Sequence, residues 1–241
     1  MMKPSVGVRK SSGSGLRHTL HAAGLIFKKE LRVEFRTRYA LGSVSLFSLT
    51  TVVAVSGALS SQTLHSDVKA ALLWVVLLFA AMSGLARVFV REVEAGTSDA
   101  LKLYAPAASV YAGKLLFNLA LVAAVELITV PLYLIVLPPQ VIHPGLLISV
   151  LALGGLGLSS AATFVASLIA QAKSGKSALF FTVAFPVLMP LLLVAVKSTV
   201  GAFDSVPTHQ SEAVSGMAVL ACYSVVTTTA ALLLFEYVWR D

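Results

Sequence analysis

Residues 115–137 read LLFNLALVAAVELITVPLYLIVL, an apolar run of 23 residues interrupted by a single acid, Glu126. A helix needs about 20 apolar residues to cross the ~30 Å hydrocarbon layer of a membrane, so this run predicts a transmembrane helix. Five further runs of this kind predict spans at about 40–59, 70–90, 145–170, 177–196 and 213–235. The sequence therefore predicts an all-α, polytopic membrane bundle of six transmembrane helices, which forms one domain over residues 40–241.

The composition excludes an ordinary soluble domain. Only 12% of the 241 residues are charged and 57% are hydrophobic, whereas soluble domains carry roughly 25% charged residues. All basic residues except Lys69 and Lys197 fall on one side of a six-span topology. The positive-inside rule then predicts that both termini are cytoplasmic. The net charge of +7 reports this orientation and an anionic inner leaflet, so no nucleic acid partner is predicted.

Two different segments precede the first span. Residues 1–15 are basic and rich in Ser and Gly, a composition typical of a disordered tail. Over 16–39, apolar residues recur at three- and four-residue spacing, which predicts a basic amphipathic helix lying in the cytoplasmic lipid interface. A solvated helix, or one that only sets topology, is the alternative. The residues predicted to form this interfacial helix are Phe27, Lys28, Lys29, Leu31, Arg32, Phe35 and Arg36.

The inward connection over 87–114 is the longest one and mixes acids with bases. It reads RVFVREVEAGTSDALKLYAPAASVYAGK, with a Gly-Thr-Ser-Asp turn signal at 96–99 and a Pro106 that ends a short helical stretch. An exposed, charged helical elbow below a membrane bundle is suited to docking a cytoplasmic partner. We therefore predict that this coupling segment binds such a partner.

Polar residues inside two of the predicted spans indicate how helices meet. An ionised acid at the depth of Glu126 costs at least about 2.5 kcal/mol, so Glu126 either faces a polar pathway or is protonated and hydrogen-bonds a neighbour. In the fourth span, small residues recur at four-residue intervals and allow close helix packing, within the chain or between two copies. These residues are Gly155, Ser159, Thr163 and Ser167.

No catalytic set and no metal site is predicted. Residues 170–177 read AQAKSGKS and end like a phosphate-binding loop, but the first glycine of that motif is absent and a membrane span precedes it. Each outward loop carries one histidine, and three such side chains could ligate a metal or haem iron. The alternative, three unrelated surface histidines, is favoured because no pair has ligand spacing. The histidines are His65, His143 and His209.

The arrangement resembles the CcmB family, the haem exporter protein B of cytochrome c maturation, and more broadly the permeases of type-2 ABC exporters. The resemblance extends from about Leu25 to the end, through length, six spans, the segment FKKELRVEFRTR at 27–38 and short outward loops. Its sharpest part is the pattern of single residues in LARVFVREVEAGTSDALKLYAPAASVYAGK at 85–114. The residues predicted for coupling to an ATPase subunit are Arg87, Phe89, Arg91, Glu92, Glu94, Gly96, Asp99, Leu101, Leu103, Pro106 and Lys114.

The resemblance implies a permease subunit without an ATPase site of its own, in the bacterial inner membrane. It implies a separate cytoplasmic ABC ATPase, other cytochrome c maturation membrane proteins and two permease subunits per complex. No cofactor is expected to reside in the chain; haem is implied as the transported or handled ligand. Two alternatives stay open: an exporter permease for a drug, lipid or polysaccharide, and a membrane scaffold that transports nothing.

Overall fold

The computed structural model describes residues 12–37, 39–59, 64–85, 105–169 and 176–240. These residues form helices and the loops between them, with no strand. Seven helices occupy these ranges. They are α1 (Ser12–Thr37), α2 (Tyr39–Leu59), α3 (Ser66–Leu85), α4 (Ala107–Val136), α5 (Pro144–Ile169), α6 (Lys176–Phe203) and α7 (Pro207–Arg240). Long apolar runs form helices because lipid offers no hydrogen-bond partners to the backbone, whereas a helix pairs its N–H and C=O groups within the segment.

Five of these helices are long and apolar enough to cross a membrane, with spans at Gly42–Leu59, Ala107–Val136, Pro144–Ile169, Leu179–Phe203 and Pro207–Phe235. The predicted span at 70–90 corresponds to α3, which is not among the five. Its described apolar part, residues 70–85, follows Asp67 and Lys69 in the first turn. Sixteen helical residues rise only about 24 Å, which is less than the ~30 Å hydrocarbon layer.

The helices extend beyond the predicted spans because extending an existing helix costs little once its first turn has formed. The outward loop predicted between the last two spans shrinks to residues 204–206, since α6 continues to Phe203 and α7 begins at Pro207. The amphipathic helix α1 begins at Ser12, four residues inside the predicted tail. The remainder of that tail, residues 1–11, lies outside the described residues.

Helix α5 lies at the centre of the bundle, where 61% of its span is buried. It packs against α3, α4, α6 and α7, while α2 packs against α3 and α4, and α1 packs mainly against α4. Three glycines of α5 lie against side chains of neighbouring helices. A Cβ at Gly154 would overlap the ring of Trp74, one at Gly155 would lie 2.6 Å from Glu126 Oε1, and one at Gly157 would overlap Leu191. The absence of a side chain at these positions therefore brings α3, α4 and α6 close to α5.

Hydrogen bonds tie the far ends of the helices to each other. Ile142 N and His143 N both donate to Ala202 O, at 3.0 and 3.1 Å, which joins the α4–α5 loop to the end of α6. Lys69 Nζ donates to Pro138 O at 3.0 Å, which joins the start of α3 to the end of α4. The starts of α3 and α5 and the ends of α4 and α6 therefore lie together at one end of the bundle.

Candidate functional site: the α1–α4 junction and the α4–α5 seam

Most of the predicted coupling residues lie outside the described residues, namely Arg87, Phe89, Arg91, Glu92, Glu94, Gly96, Asp99, Leu101 and Leu103. Pro106 and Lys114 are described. Pro106 immediately precedes α4, and its carbonyl accepts hydrogen bonds from Ser109 N at 2.9 Å and Val110 N at 3.2 Å. Proline is favoured where a helix begins because its φ is already helical and its missing N–H has no partner to lose. The coupling segment therefore leads directly into the first turn of α4.

Lys114 lies inside the protein, in the second turn of α4. Its side chain is fully buried, and its Nζ is 3.7 Å from Oε1 of Glu30 on α1. Glu30 is only 6% exposed and also lies 3.4 Å from the exposed Lys29. A buried charge without a counter-charge is strongly destabilising, so this pair holds α1 against α4. Lys114 was predicted as a coupling residue, and the structure places it against α1.

The residue before Lys114 allows the two helices to approach. A Cβ at Gly113 would lie 2.8 Å from Ile26 Cβ and 2.9 Å from Ala23 O. These distances are shorter than van der Waals contact, so any larger side chain would push α1 away from α4. Gly113 and Lys114 thus form the α1–α4 junction, one by close approach and the other by charge.

The same part of α4 also contacts α7. Tyr111 is fully buried, and its ring packs against Phe235 with centroids 5.5 Å apart and planes inclined by 50°. Aromatic pairs of this geometry stabilise a contact beyond the area they bury. The first turns of α4 therefore join the coupling segment to both α1 and the distal part of α7.

Helix α1 buries a face that the sequence analysis did not predict. Its buried residues are Ala23, Ile26, Glu30 and Glu34. The predicted interfacial residues occupy the other faces: Phe27 and Leu31 are partly buried, whereas Lys28, Lys29, Arg32, Phe35 and Arg36 are exposed. The two buried acids were missed because acids are almost never fully buried unless paired, and Lys114, the partner of Glu30, lies 84 residues away. Their spacing of four residues, with a lone lysine at the start of α4, was the available signal.

The predicted small-residue stripe of α5 is buried at all four positions: Gly155, Ser159, Thr163 and Ser167. It faces α4 at two of them. Asn118 Nδ2 donates to Thr163 Oγ1 at 2.7 Å, and the carboxyl of Glu126 lies against Gly155. The two contacts are eight residues apart on both helices, which is the register of an antiparallel pair. We call this contact the α4–α5 seam.

The seam retains unused hydrogen-bonding capacity. Three buried atoms on it have no hydrogen-bond partner among the described residues: Glu126 Oε1, Asn118 Oδ1 and Ser159 Oγ. Neighbouring polar groups in the bundle do have partners, since Thr129 donates to Ser48 at 2.8 Å and Trp74 donates to Thr199 at 2.8 Å. Four further buried atoms without a hydrogen-bond partner lie elsewhere among the described residues, on Glu30, Ser109, Tyr111 and Ser198, so the seam holds three of seven such atoms.

A groove of about 430 Å³ opens beside the seam, between α4, α5 and α7. Leucines of α4 and α5 form much of its lining, and hydroxyl groups contributed by α5 and α7 interrupt it. Binding sites for small molecules are typically clefts of ~300–1,000 Å³ with mainly apolar walls and few polar groups. The groove has this character and could hold an amphipathic molecule.

The three histidines of the outward loops do not converge. Gln210 Nε2 and His143 Nε2 are 2.7 Å apart, as when the amide donates to an unprotonated ring nitrogen. His209 Nδ1 lies 3.2 Å from Asp204 Oδ2, and His65 is exposed. Within the described ranges, no group of three or more His, Cys, Asp or Glu residues is arranged to hold a metal ion.

Comparison with known protein families shows which family the chain belongs to. The family model of the CcmB protein matches residues 21–236, from within α1 to within α7. The chain belongs to the CcmB family. No curated protein gives a significant match to it. The CcmB match covers the α1–α4 junction, the α4–α5 seam and the coupling segment alike, so all three are parts of the family's common domain.

Membership in the CcmB family defines the setting of the chain. It is a multi-pass membrane protein and a membrane component of the haem export machinery of cytochrome c biogenesis. It belongs to the cytochrome c maturation ABC transporter complex, alongside other components. The family resemblance drawn from the residues is thereby confirmed.

Proposed function

We propose that this chain is the permease subunit of its complex and is driven by a separate cytoplasmic ATPase that docks on the coupling segment, residues 87–114. The observation that carries the proposal is the α1–α4 junction. The segment enters α4 at Pro106, and within two turns α4 contacts α7 through Tyr111 and α1 through Lys114. A push on the segment would therefore move three helices together, as rigid-body switching requires.

The proposal includes six spans with both termini in the cytoplasm of a bacterium and insertion in its inner membrane. The distribution of Lys and Arg supports it. The contacts support it as well, since the start of α4 meets α1 and the distal part of α7 at one end of the bundle. The α4–α5 loop meets the end of α6 at the other end. In this topology α3 is the second span along the chain and completes the set of six, packed on α2, α4 and α6.

The proposal assigns ATP hydrolysis to the partner subunit. The sequence at 170–177 that resembles a phosphate-binding loop runs directly into α6, which begins at Lys176. A phosphate-binding loop needs a preceding strand and a βα unit around it, and here it would follow the membrane-spanning helix α5. We interpret Lys173 and Lys176 as positive charges that anchor this connection on the inner side.

Haem is proposed as the handled ligand, with two copies of the chain in each complex. The groove between α4, α5 and α7 suits an amphipathic molecule because its leucine walls match an apolar ring system. The hydroxyls of Ser160 and Thr228, which are 3.0 Å apart, could shift their hydrogen bond to a polar substituent. The chain would hold haem only in passage, with no resident cofactor.

Charge reversal in the coupling segment tests the docking surface. Glu92→Lys and Asp99→Lys should reduce co-purification of the ATPase subunit with the permease, because complementary charge orients association. Glu212→Lys is the matched control, since Glu212 is an exposed acid near the start of α7, at the opposite end of the bundle. Undiminished ATPase recovery with both coupling variants would contradict the docking site.

An ATPase subunit that cannot hydrolyse ATP separates transport from scaffolding. The proposal expects that cells with this subunit assemble the complex but lose mature c-type cytochromes. If cytochrome maturation continues at the normal level, the chain acts as an assembly scaffold instead.

A further inference from the structure

The carboxyl of Glu126 occupies the space that a side chain at Gly155 of α5 would fill. We call this space the seat. Glu126 Oε1 lies 2.6 Å and its Cδ 3.2 Å from where a Cβ of Gly155 would stand. The carboxyl therefore fills the space that any other residue at Gly155 would take. Oε1 is buried and has no hydrogen-bond donor among the described residues. The residue as a whole is partly exposed.

No positive charge in the described part of the chain compensates this carboxyl. Helix α5, against which it sits, has no ionisable residue, and α2 has only Tyr39. On α3, Asp67 and Lys69 are in the first turn, and Lys69 is engaged with Pro138 O. Along α4, Tyr133 and Lys114 lie seven and twelve residues away, about 10 and 18 Å along the axis.

The remaining packed elements add no counter-charge. Helix α1 joins α4 at the level of Gly113 and Lys114, where Glu30 meets Lys114. On α7, His209 and Glu212 lie near the start of the helix, and the hydroxyl of Tyr223 donates to Val187 O at 2.6 Å. Cys222 of α7 is exposed. Glu126 is thus isolated from every charged side chain that the structure describes on the helices packed against α4.

An ionised carboxylate in this seat would lack hydration, a counter-ion and a hydrogen-bond donor at Oε1. Each of these losses raises the free energy of the charged form. A neutral carboxyl avoids the charge and fits beside the glycine. We propose that Glu126 is a proton-binding site within the bilayer, and that Gly155 is the seat of its protonated form.

The seat links proton binding to helix position. If the proton leaves, the charge must reach water or a cation, and the carboxyl has to move out of the seat. Asn118 and Thr163 still hold the same two helices two turns away, so the α4–α5 seam opens locally at Gly155. A ligand that binds only one of two conformations shifts the balance between them, and here that ligand is the proton. The inference does not depend on an ATPase partner.

Reaction with dicyclohexylcarbodiimide tests the site in membranes that contain the assembled complex. This apolar reagent enters the bilayer and modifies carboxyls that carry a proton. We expect Glu126 to be modified when the reaction is run at neutral pH and to a smaller extent when it is run at alkaline pH, as detected by peptide mass spectrometry. Membranes returned from alkaline to neutral pH before the reagent is added should regain the full extent of modification. Glu126→Gln should abolish the modified peptide. A water-soluble carbodiimide should modify the exposed Asp67 and Glu212 and leave Glu126 unmodified.

Two results would overturn the inference: absence of modification of Glu126 at neutral pH, or equal modification by the water-soluble reagent. Infrared spectroscopy gives a second measurement that does not need transport. The C=O stretch of a protonated carboxyl should disappear in Glu126→Gln and shift in Gly155→Ala, which fills the seat. Gly145→Ala is the control, because nothing lies within 4 Å of a Cβ there. An unshifted band in a folded Gly155→Ala protein would contradict the seat.

Discussion

Lys114 Nζ of α4 lies 3.7 Å from Glu30 Oε1 of α1, and both side chains are buried. The pair sits eight residues after Pro106, where the coupling segment becomes helix α4. It is the point at which a basic, amphipathic helix that sequence analysis assigns to the lipid interface becomes attached to the bundle. The start of α4 is therefore joined to α1 at this point by one charge pair and by the close approach at Gly113.

Removing one partner of this pair should destabilise the protein more than removing both. Among the described residues, Lys114→Met leaves Glu30 paired with the exposed Lys29 alone, and the loss of a buried partner costs roughly 3–5 kcal/mol. The double variant Lys114→Met with Glu30→Leu should recover most of this loss, because apolar residues of similar volume often replace a buried pair without penalty. Thermal unfolding of the purified protein in detergent measures the effect. Lys28→Met is the control, and an equal effect of Lys28→Met and Lys114→Met would contradict the prediction.

Side chains introduced at the two other central glycines of α5 should overpack the core. Gly154→Ala would collide with the ring of Trp74, and Gly157→Ala with Leu191. Overpacking of this kind costs about 1–3 kcal/mol. The effect is read as a lower unfolding temperature and faster proteolysis, compared with Gly57→Ala, where a Cβ meets nothing within 4 Å. Equal stability of all three variants would contradict the close packing.

The hydrogen bond between Asn118 and Thr163 should show measurable coupling. Interhelical hydrogen bonds inside membranes average about 0.6 kcal/mol in double-mutant cycles. We expect a coupling free energy of about this size, up to ~1.7 kcal/mol, for the cycle of Asn118→Ala with Thr163→Ala. Pairing Asn118→Ala with Thr229→Ala supplies the control, because Thr229 is exposed and its hydroxyl donates to Val225 O within its own helix. Equal coupling in the two cycles would show that the seam bond adds nothing.

A wedge at the α1–α4 junction should separate ATP hydrolysis from function. Gly113→Val places atoms where Ile26 and Ala23 O now lie, so α1 must move away from α4. If the junction transmits the push of the ATPase, the complex should still hydrolyse ATP but deliver far fewer mature c-type cytochromes. Gly24→Val on α1 is the control because a Cβ there meets nothing within 4 Å. Normal cytochrome yield with Gly113→Val would contradict transmission through the junction.

Prediction from sequence was most successful where a single run of residues decides the structure. The apolar run at 115–137 and the similar runs elsewhere in the chain predicted helices at the positions of α2, α4, α5, α6 and α7. All five of these helices meet the requirements of a membrane span. The small-residue stripe predicted that α5 would pack closely, and it is the central helix. In both cases the relevant physics, burial of apolar surface and close approach of small residues, acts along one helix.

Prediction was weaker wherever two distant segments decide the outcome. For α1, the apolar stripe was visible, but its buried face contains Glu30 and Glu34, and the charge that compensates Glu30 is Lys114, on the distant helix α4. For Glu126, the sequence left a choice between a polar pathway and a packing contact. The seat at Gly155 became visible only when α4 and α5 were placed in register.

The sequence by itself determined the solvent of this protein, the helices that enter that solvent and the family to which the chain is similar, because hydropathy and local spacing act within one segment. Tertiary structure alone decided which helix faces meet, and therefore that Lys114 is paired, that Gly155 holds a carboxyl and that Glu126 lies apart from every described positive charge. Such contacts depend on the free energy of bringing groups from distant segments together. Hydropathy and spacing along one segment do not determine that free energy.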